Sequence, residues 1–230
     1  MKKDFKNIKA VFFDAGNTLI YPDYFVIQTV LADFGIKTTV ARIRMAEYEA
    51  LATAQNSQGS QAWKTYFGIW IKLLGGHENR IKEIYGKLWE RHRQKHLWSL
   101  VDEDAVVTLS ALKERGYRLG VISNSDGSIA TLLRDCNLTD YFEVIVDSEV
   151  VGIRKPSPAI FEFALNKMAA KAPESLFVGD SYETDVLGAQ QAGLTGILFD
   201  PLKKFTTFEC VKINRLSELL DSLQGHHYSK

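Results

Sequence analysis

The sequence is short of the features that would place it in an oxidising compartment, in a membrane or on a polyanion. It has two cysteines, Cys136 and Cys210, far apart and without metal-ligand spacing; both read as reduced thiols in the core or at the surface. It has no charge of either sign in excess, with 28 lysines and arginines against 28 aspartates and glutamates. That balance gives no indication of a nucleic-acid or membrane partner. No apolar run approaches the roughly 18 residues of a membrane span. The N-terminal lysines precede only "AVFF", too short for a secretory h-region. Internal repeats and low-complexity segments are absent. The terminal "GHHYSK" reads as a frayed end, since His226 and His227 alone do not make a metal site. The expectation is a cytoplasmic protein.

What the chain does have is 46% hydrophobic content over 230 residues, enough for one domain or one domain with a sizeable insertion. Its texture changes twice. "AVFFD" is a short β-rich run. From residue 24 to about residue 98 no clear strand occurs. Instead "YFVIQTVLADFGI", "TTVARIRMAEYEALATAQ", "SQAWKTYFGIWIKLLGG" and "HENRIKEIYGKLWERHRQKHLW" repeat apolar residues at helical spacing. They predict a bundle of about four helices. After residue 100 strand and helix alternate. "YRLGVISN", "FEVIVDS", "SLFVGD", "TGILFD" and "CVKI" read as strands. "DEDAVVTLSALKERG", "GSIATLLRDCN", "SPAIFEFALNKMAA", "YETDVLGAQQAG" and "RLSELLDSL" read as helices. Such alternation implies a parallel sheet covered on both faces, and the unbroken apolar runs "VFFD" and "LFVGD" suit doubly covered strands. The predicted fold class is α/β: a Rossmann-like parallel sheet flanked by helices, residues 1–20 and 100–230, interrupted by an inserted α-helical domain at 21–99.

Ligands of open parallel sheets bind beyond the carboxyl ends of the strands. Asp14 stands there after the first strand, Ser123 and Asn124 after "LGVI", and Asp180 after "LFVG", with Asp185 five residues on. Lys155 occupies the loop "GIRKPSP". Singly, each has an ordinary explanation as a turn former, helix cap or solvated side chain. Their joint placement at one sheet edge points to chemistry. Clustered carboxylates repel unless a cation lies among them, and oxygen-only ligands suit Mg²⁺. An aspartate can act as nucleophile, while lysine and hydroxyl donors neutralise a transferring phosphoryl group.

At these residues the sequence resembles the haloacid dehalogenase-like (HAD) hydrolase superfamily, subfamily I with a helical C1 cap. "VFFDAGNTL", "GVISNSD", "GIRKPSPAIF" and "LFVGDSYETDVLGAQQAG" match its four motif regions in order, over about residues 8–20 and 100–225. The resemblance implies a Mg²⁺-dependent phosphatase of a small phosphorylated metabolite. Asp14 would be nucleophile and metal ligand. Ser123 would bond the phosphoryl oxygens, and Lys155 would bridge Asp14 and phosphate. Asp180 would hold the metal directly; Asp185 would do so directly, through water, or by orienting Lys155. Asn124 would line the edge and touch substrate. The cap would close over the site and exclude water, and the chain would be a monomer or homodimer.

One position departs from the family's phosphatases. They usually carry a second aspartate two residues after the nucleophile, as leaving-group acid and later base. Here it is Gly16. Its backbone carbonyl can still bind Mg²⁺, but positioned proton transfer, typically worth about 10²–10⁴-fold, is lost. Three readings follow: a phosphatase of reduced or specialised activity; other family chemistry, either phosphonoacetaldehyde hydrolase-like or haloacid dehalogenase-like; or a non-catalytic phospho-ligand or partner-binding protein. Dehalogenases of the family need no metal and lack the acid matching Asp180. A phosphonoacetaldehyde hydrolase needs a cap lysine for a Schiff base, for which Lys64, Lys72, Lys82, Lys87 and Lys95 are available. In the cap, Trp63, Tyr66, Trp70, Trp89 and Trp98 read as its own core or as a pocket for a flat group. "QNSQGSQ" around Gly59 reads as a connector or a loop reaching the site. The basic "RHRQKH", Arg91 to His96, reads as a solvated helix face or a phosphate contact.

Overall fold

Ala10–Phe13 form the first strand, β1, and all four side chains are buried, as a strand covered on both faces requires. The computed structural model describes Phe5, residues 7–54 and residues 60–223, with the side chains of residues 52, 54 and 60–64 excepted. The side chains of Trp63 and Lys64, residues 55–59 around Gly59, and the terminal "GHHYSK" lie outside the described residues. The chain divides into two compact units, Met1–Tyr21 with Leu100–Lys230, and Pro22–Ser99.

After β1 come β2 (Ile20–Pro22), α1 (Tyr24–Asp33), α2 (Val40–Ala54), α3 (Ser60–Leu73), α4 (Ile81–Gln94) and β3 (Trp98–Val101). The alternating part follows: α5 (Ala105–Glu114), β4 (Arg118–Ser123), α6 (Ile129–Asp135), β5 (Val144–Asp147), α7 (Ser148–Val151), α8 (Pro158–Met168) and β6 (Ser175–Gly179). It ends with α9 (Gly188–Gln191), β7 (Thr195–Phe199), β8 (Val211–Ile213) and α10 (Glu218–Ser222). Six strands form one parallel sheet in the order β5-β4-β1-β6-β7-β8. The order runs outward from β1 in both directions, so the switch point of the topology lies at β1, where an open sheet leaves a crevice. On one face, Phe12, Ile122, Phe161, Leu165, Met168 and Phe177 pack with α8 and α9 into a single core. Each such buried side chain contributes roughly 1.5–3 kcal/mol relative to exposure.

Within the helical unit, the Asp23 carboxylate accepts from Phe25 N and Val26 N and caps α1, and Thr39 Oγ1 accepts from Arg42 N to open α2. Trp70 is buried on α3, and its Nε1 donates to Ile43 O at 2.9 Å. Tyr66 is buried beside it, its ring centroid 5.5 Å from that of Trp70, so these two rings belong to this unit's own core. Trp98 is buried as well, whereas Trp89 is 44% exposed.

Two local features differ from the expectation. β2 and β3 form a two-stranded sheet where no strand was read. Three or four residues are too few to show a period of two, and each pairs only with a segment some 80 positions away. The segment "YETDVL" begins not as a regular helix but as a wide π-type turn over Tyr182–Leu187. Ser181 O accepts from both Asp185 N and Val186 N, and Ser181 N donates to Asp185 Oδ2 at 3.0 Å. The side-chain bond of Asp185 thus competes with the regular helical pattern at its start.

Candidate active site

The central strands deliver the acids. Asp14 follows β1, and its backbone N donates to Val178 O on β6 at 2.8 Å. In the same sheet Phe13 pairs with Val121 of β4 and Val178 of β6. Asp14, Ser123 and Asp180 therefore emerge side by side from three adjacent strands. Ser123 is the last residue of β4, buried, and in register with Asp147 of β5.

Lys155 reaches this edge from the loop before α8. Its Nζ lies 2.7 Å from Asp14 Oδ1 and 2.7 Å from Asp185 Oδ1, with 2% of its side chain exposed. The ammonium also stands 5.0 Å above the ring of Phe177, whose π face favours a cation. One oxygen from each of Asp14, Asp180 and Asp185 lies within 4.8 Å of the others. This is an oxygen-only set of the type that holds a hard divalent cation. Charge accounting supports that fit: three carboxylates share one ammonium. Burial pushes the Asp14 carboxyl up, the charge of Lys155 pulls it down, and Asp185 pushes it up again, leaving it raised. Asp180 is raised well above the usual carboxylate range by burial, then by Asp185 and Asp14. Burial alone would lower Lys155; the charges and hydrogen bonds of Asp14 and Asp185 outweigh it and raise it. Without a cation the cluster prefers to hold an extra proton, which a divalent ion would displace.

Close approach makes the cluster possible. A Cβ on Gly179 would come within 2.7 Å of Asp185 Cβ, so the last residue of β6 has to be glycine for Asp185 to lie against the strand. Gly188, at the start of α9, does the same for the lysine loop, where a Cβ would meet Pro156 Cα at 3.0 Å.

Gly16 lies in a tight loop after Asp14. Ala15 O accepts from Leu19 N and Ile20 N, and Asn17 N donates to Ile20 O. Asn17 takes a left-handed conformation, with φ 56°. Among the described residues the loop's backbone bonds leave the Gly16 carbonyl outside them. Asn124 lies at the same edge and bonds the backbone of Lys155: Nδ2 donates to Lys155 O at 3.0 Å and Oδ1 accepts from Lys155 N at 2.9 Å. Arg91, Lys95 and His96 line a cavity of about 340 Å³ inside the helical unit, together with Asp23, Val26 and Ser99.

Two residues at the sheet edge escaped the sequence reading. Asp147 is buried, its carboxylate accepting from Ile129 N and Glu149 N. Ser148 is buried, and its Oγ accepts from Ser125 N and from Arg154 Nη1. They brace the loop that follows Ser123. The strand-end rule applied to "FEVIVDS" would have found both.

Comparison with known proteins finds relatives along most of the chain. A family model described as haloacid dehalogenase-like hydrolase matches residues 8–193. Glyceraldehyde 3-phosphate phosphatase of Methanothermobacter thermautotrophicus is 32% identical over 199 residues, which cover 83% of this chain and 85% of that protein. Among solved structures, the HAD-hydrolase YfnB from Bacillus subtilis, bound to magnesium, matches with a TM-score of 0.67 at 21% identity, over 94% of this chain and 98% of that one. The 2-haloacid dehalogenase from Pseudomonas syringae pv. Tomato matches with a TM-score of 0.57 at 25% identity, over 94% and 97% of the two chains. The fold is thus shared by proteins of different chemistry, and the site has to choose among them.

Proposed function

The chain belongs to the haloacid dehalogenase-like hydrolases, and from that premise we propose that it is a Mg²⁺-dependent phosphatase acting on a small phosphorylated metabolite. The observation that carries this reading is the placement of Lys155 2.7 Å from both Asp14 and Asp185, with Asp180 completing the acidic cluster. Asp14, Asp180, Asp185 and the Gly16 carbonyl would hold the cation. When bound, Mg²⁺ would neutralise phosphoryl charge and favour the ionised form of Asp14.

Asp14 attacks phosphorus through one carboxylate oxygen, forming an aspartyl-phosphate as the bond to the leaving oxygen breaks. Lys155 holds that carboxylate in place and, with Ser123, offsets charge on the phosphoryl oxygens. Water then cleaves the acyl phosphate, releasing inorganic phosphate and restoring Asp14. With glycine at position 16, the leaving oxygen takes its proton from solvent or departs as a stable anion. The phosphatase name of the Methanothermobacter relative, 32% identical, supports a small phosphorylated metabolite as substrate.

The competing readings have less support. Dehalogenation has no use for Asp180. A Schiff-base lysine has to be desolvated to be neutral near pH 7, yet Lys72, Lys82 and Lys95 are exposed. Lys87 is 43% exposed and paired with Glu90 at 2.7 Å.

The test is hydrolysis of p-nitrophenyl phosphate, whose leaving group needs no proton. Activity that requires Mg²⁺ and disappears in Asp14→Asn supports the phosphatase. Activity that survives in Asp14→Asn, or is absent from protein that binds Mg²⁺, counts against it.

A further inference from the structure

We propose that Asn124 is the positioning residue for Lys155: its side-chain amide seats the lysine's backbone so that the ammonium stands between Asp14 and Asp185. The catalytic meaning of this inference rests on the phosphatase reading above; its structural content does not.

The amide captures both backbone groups of one residue. Nδ2 donates to Lys155 O at 3.0 Å, and Oδ1 accepts from Lys155 N at 2.9 Å. Only one orientation of the amide gives a donor to the carbonyl and an acceptor to the N–H, so the two bonds also fix which way Asn124 faces. Two bonds to one residue set both its distance from the end of β4 and the rotation of its backbone. A single bond would leave the rotation free. Asn124 directly follows Ser123, so its bonds across 31 positions of sequence register the phosphoryl-binding hydroxyl and the lysine to each other.

The surroundings make the clamp consequential. Pro156, the next residue, lies against Gly188, where even a Cβ would be 3.0 Å from Pro156 Cα. Beside it, Ser148 Oγ accepts from Arg154 Nη1 at 3.3 Å and from Ser125 N at 3.2 Å, tying the residues next to Lys155 and Asn124 to each other. Both chain neighbours of Lys155 are therefore held, Arg154 by Ser148 and Pro156 against Gly188, while the amide holds Lys155 itself. Its ammonium is buried between two carboxylates, so an error of placement cannot be relaxed by swinging into water. A displacement of about 1 Å at such a group can cost about 10²-fold in rate.

A substrate-contacting Asn124 would behave differently, because its effect would not pass through Lys155. The experiment is a double-mutant cycle on the full-length protein with p-nitrophenyl phosphate and Mg²⁺, combining Asn124→Ala with Lys155→Met. Alone, Asn124→Ala is expected to lower kcat and kcat/KM together, by about 10²-fold. In the Lys155→Met background it is expected to cost less than about twofold. An equal loss in both backgrounds, or a loss confined to KM, overturns the proposal. Independently of any activity, a crystal structure of Asn124→Ala is expected to show Lys155 Nζ withdrawn from at least one of its two carboxylates. Both contacts intact would overturn the positioning role even if the protein proves not to be a phosphatase. Should Asn124→Ala fail to fold, the isosteric Asn124→Asp serves in both arms. It keeps the acceptor for Lys155 N but turns an oxygen toward Lys155 O, and it is expected to displace the ammonium in the same way.

Discussion

Asp185 lies directly against Gly179, its Cβ 2.7 Å from where a methyl group on that glycine would stand and its carboxylate nearer still. The carboxylate can hold Lys155 from one oxygen and Ser181 N from the other only because β6 ends without a side chain. Gly179→Ala is therefore expected to push Asp185 off the strand and loosen Lys155. Overpacking of this kind costs roughly 1–3 kcal/mol, and hydrolysis should fall by about 10²-fold. Gly86→Ala in α4 is the control: nothing lies within 4 Å of that position, and alanine there should stabilise by up to about 1 kcal/mol. Thermal unfolding and p-nitrophenyl phosphate hydrolysis of the two variants check both halves. Unchanged activity in Gly179→Ala would show that Asp185 has room to move.

This relationship marks where sequence reading ends. Asp14, Ser123 and Asp180 were legible because a parallel sheet puts the residue after each buried strand at one edge, and "VFFD", "VIS" and "FVGD" announce such strands. Lys155 and Asp185 stand out at the same edge from the loop "GIRKPSP" and the segment after "FVGD", and the resemblance supplies only their roles. Nothing local could show that Asp185 would share Lys155 with Asp14. That depends on a side chain crossing to a strand brought near by the fold. The position of Asn124 at the edge is visible in the sequence; the direction of its amide, toward the backbone of a residue 31 positions away, is not. β2 and β3 were missed because strands of three and four residues carry no period.

A buried acid in the helical unit predicts a pH-dependent stability. Glu47 is 2% exposed, and its two oxygens accept from Tyr24 Oη at 2.7 Å and Tyr66 Oη at 2.8 Å. Burial pushes its carboxyl from the ordinary 4.5 up to about 7; the tyrosine hydrogen bonds and Arg44 only partly oppose this. Because the folded value lies above the unfolded one, the folded state holds the extra proton. Stability is therefore lost as pH rises from about 4.5 to about 7 and is flat beyond. Between pH 5 and pH 8 the wild type should lose about 2–3 kcal/mol more than Glu47→Gln in denaturant titrations. Parallel pH profiles for the two proteins would mean that the carboxylate is accommodated without cost.

The acidic cluster predicts a linkage to metal. Asp14 and Asp180 are both raised by burial and by neighbouring carboxylates. Removing one negative charge should therefore stabilise the metal-free protein, while a divalent cation should stabilise the wild type. Asp180→Asn is expected to unfold at a higher temperature than wild type in a chelator and to lose the Mg²⁺-induced rise. For the wild type, Mg²⁺ at about 100 times its Kd should add about 2.7 kcal/mol. A thermal shift series with and without Mg²⁺ reads both effects. A wild type indifferent to Mg²⁺, or an Asp180→Asn protein with an undiminished Mg²⁺ shift, would remove Asp180 from the metal site.

Gly16 gives the prediction that bears most on what the enzyme can turn over. The position two residues past Asp14 carries no acid, so nothing there protonates a leaving oxygen. An aryl oxygen leaves without help; an alkyl oxygen, far more basic, needs the proton. Restoring a carboxyl with Gly16→Asp should raise turnover of alkyl phosphates by about 10²-fold or more and change aryl phosphate turnover little. The gain has an upper bound, because the new carboxylate joins Asp14, Asp180 and Asp185 and has to remain protonated to serve as acid; crowding of like charges favours that form. Measuring kcat on a phenyl phosphate and an alkyl phosphate pair, in both proteins, separates the effects. A gain confined to alkyl substrates identifies the missing acid as the limit on this chain's chemistry. An equal gain on both, or none, places the limit elsewhere, in the hydrolysis of the aspartyl-phosphate or in the binding of substrate.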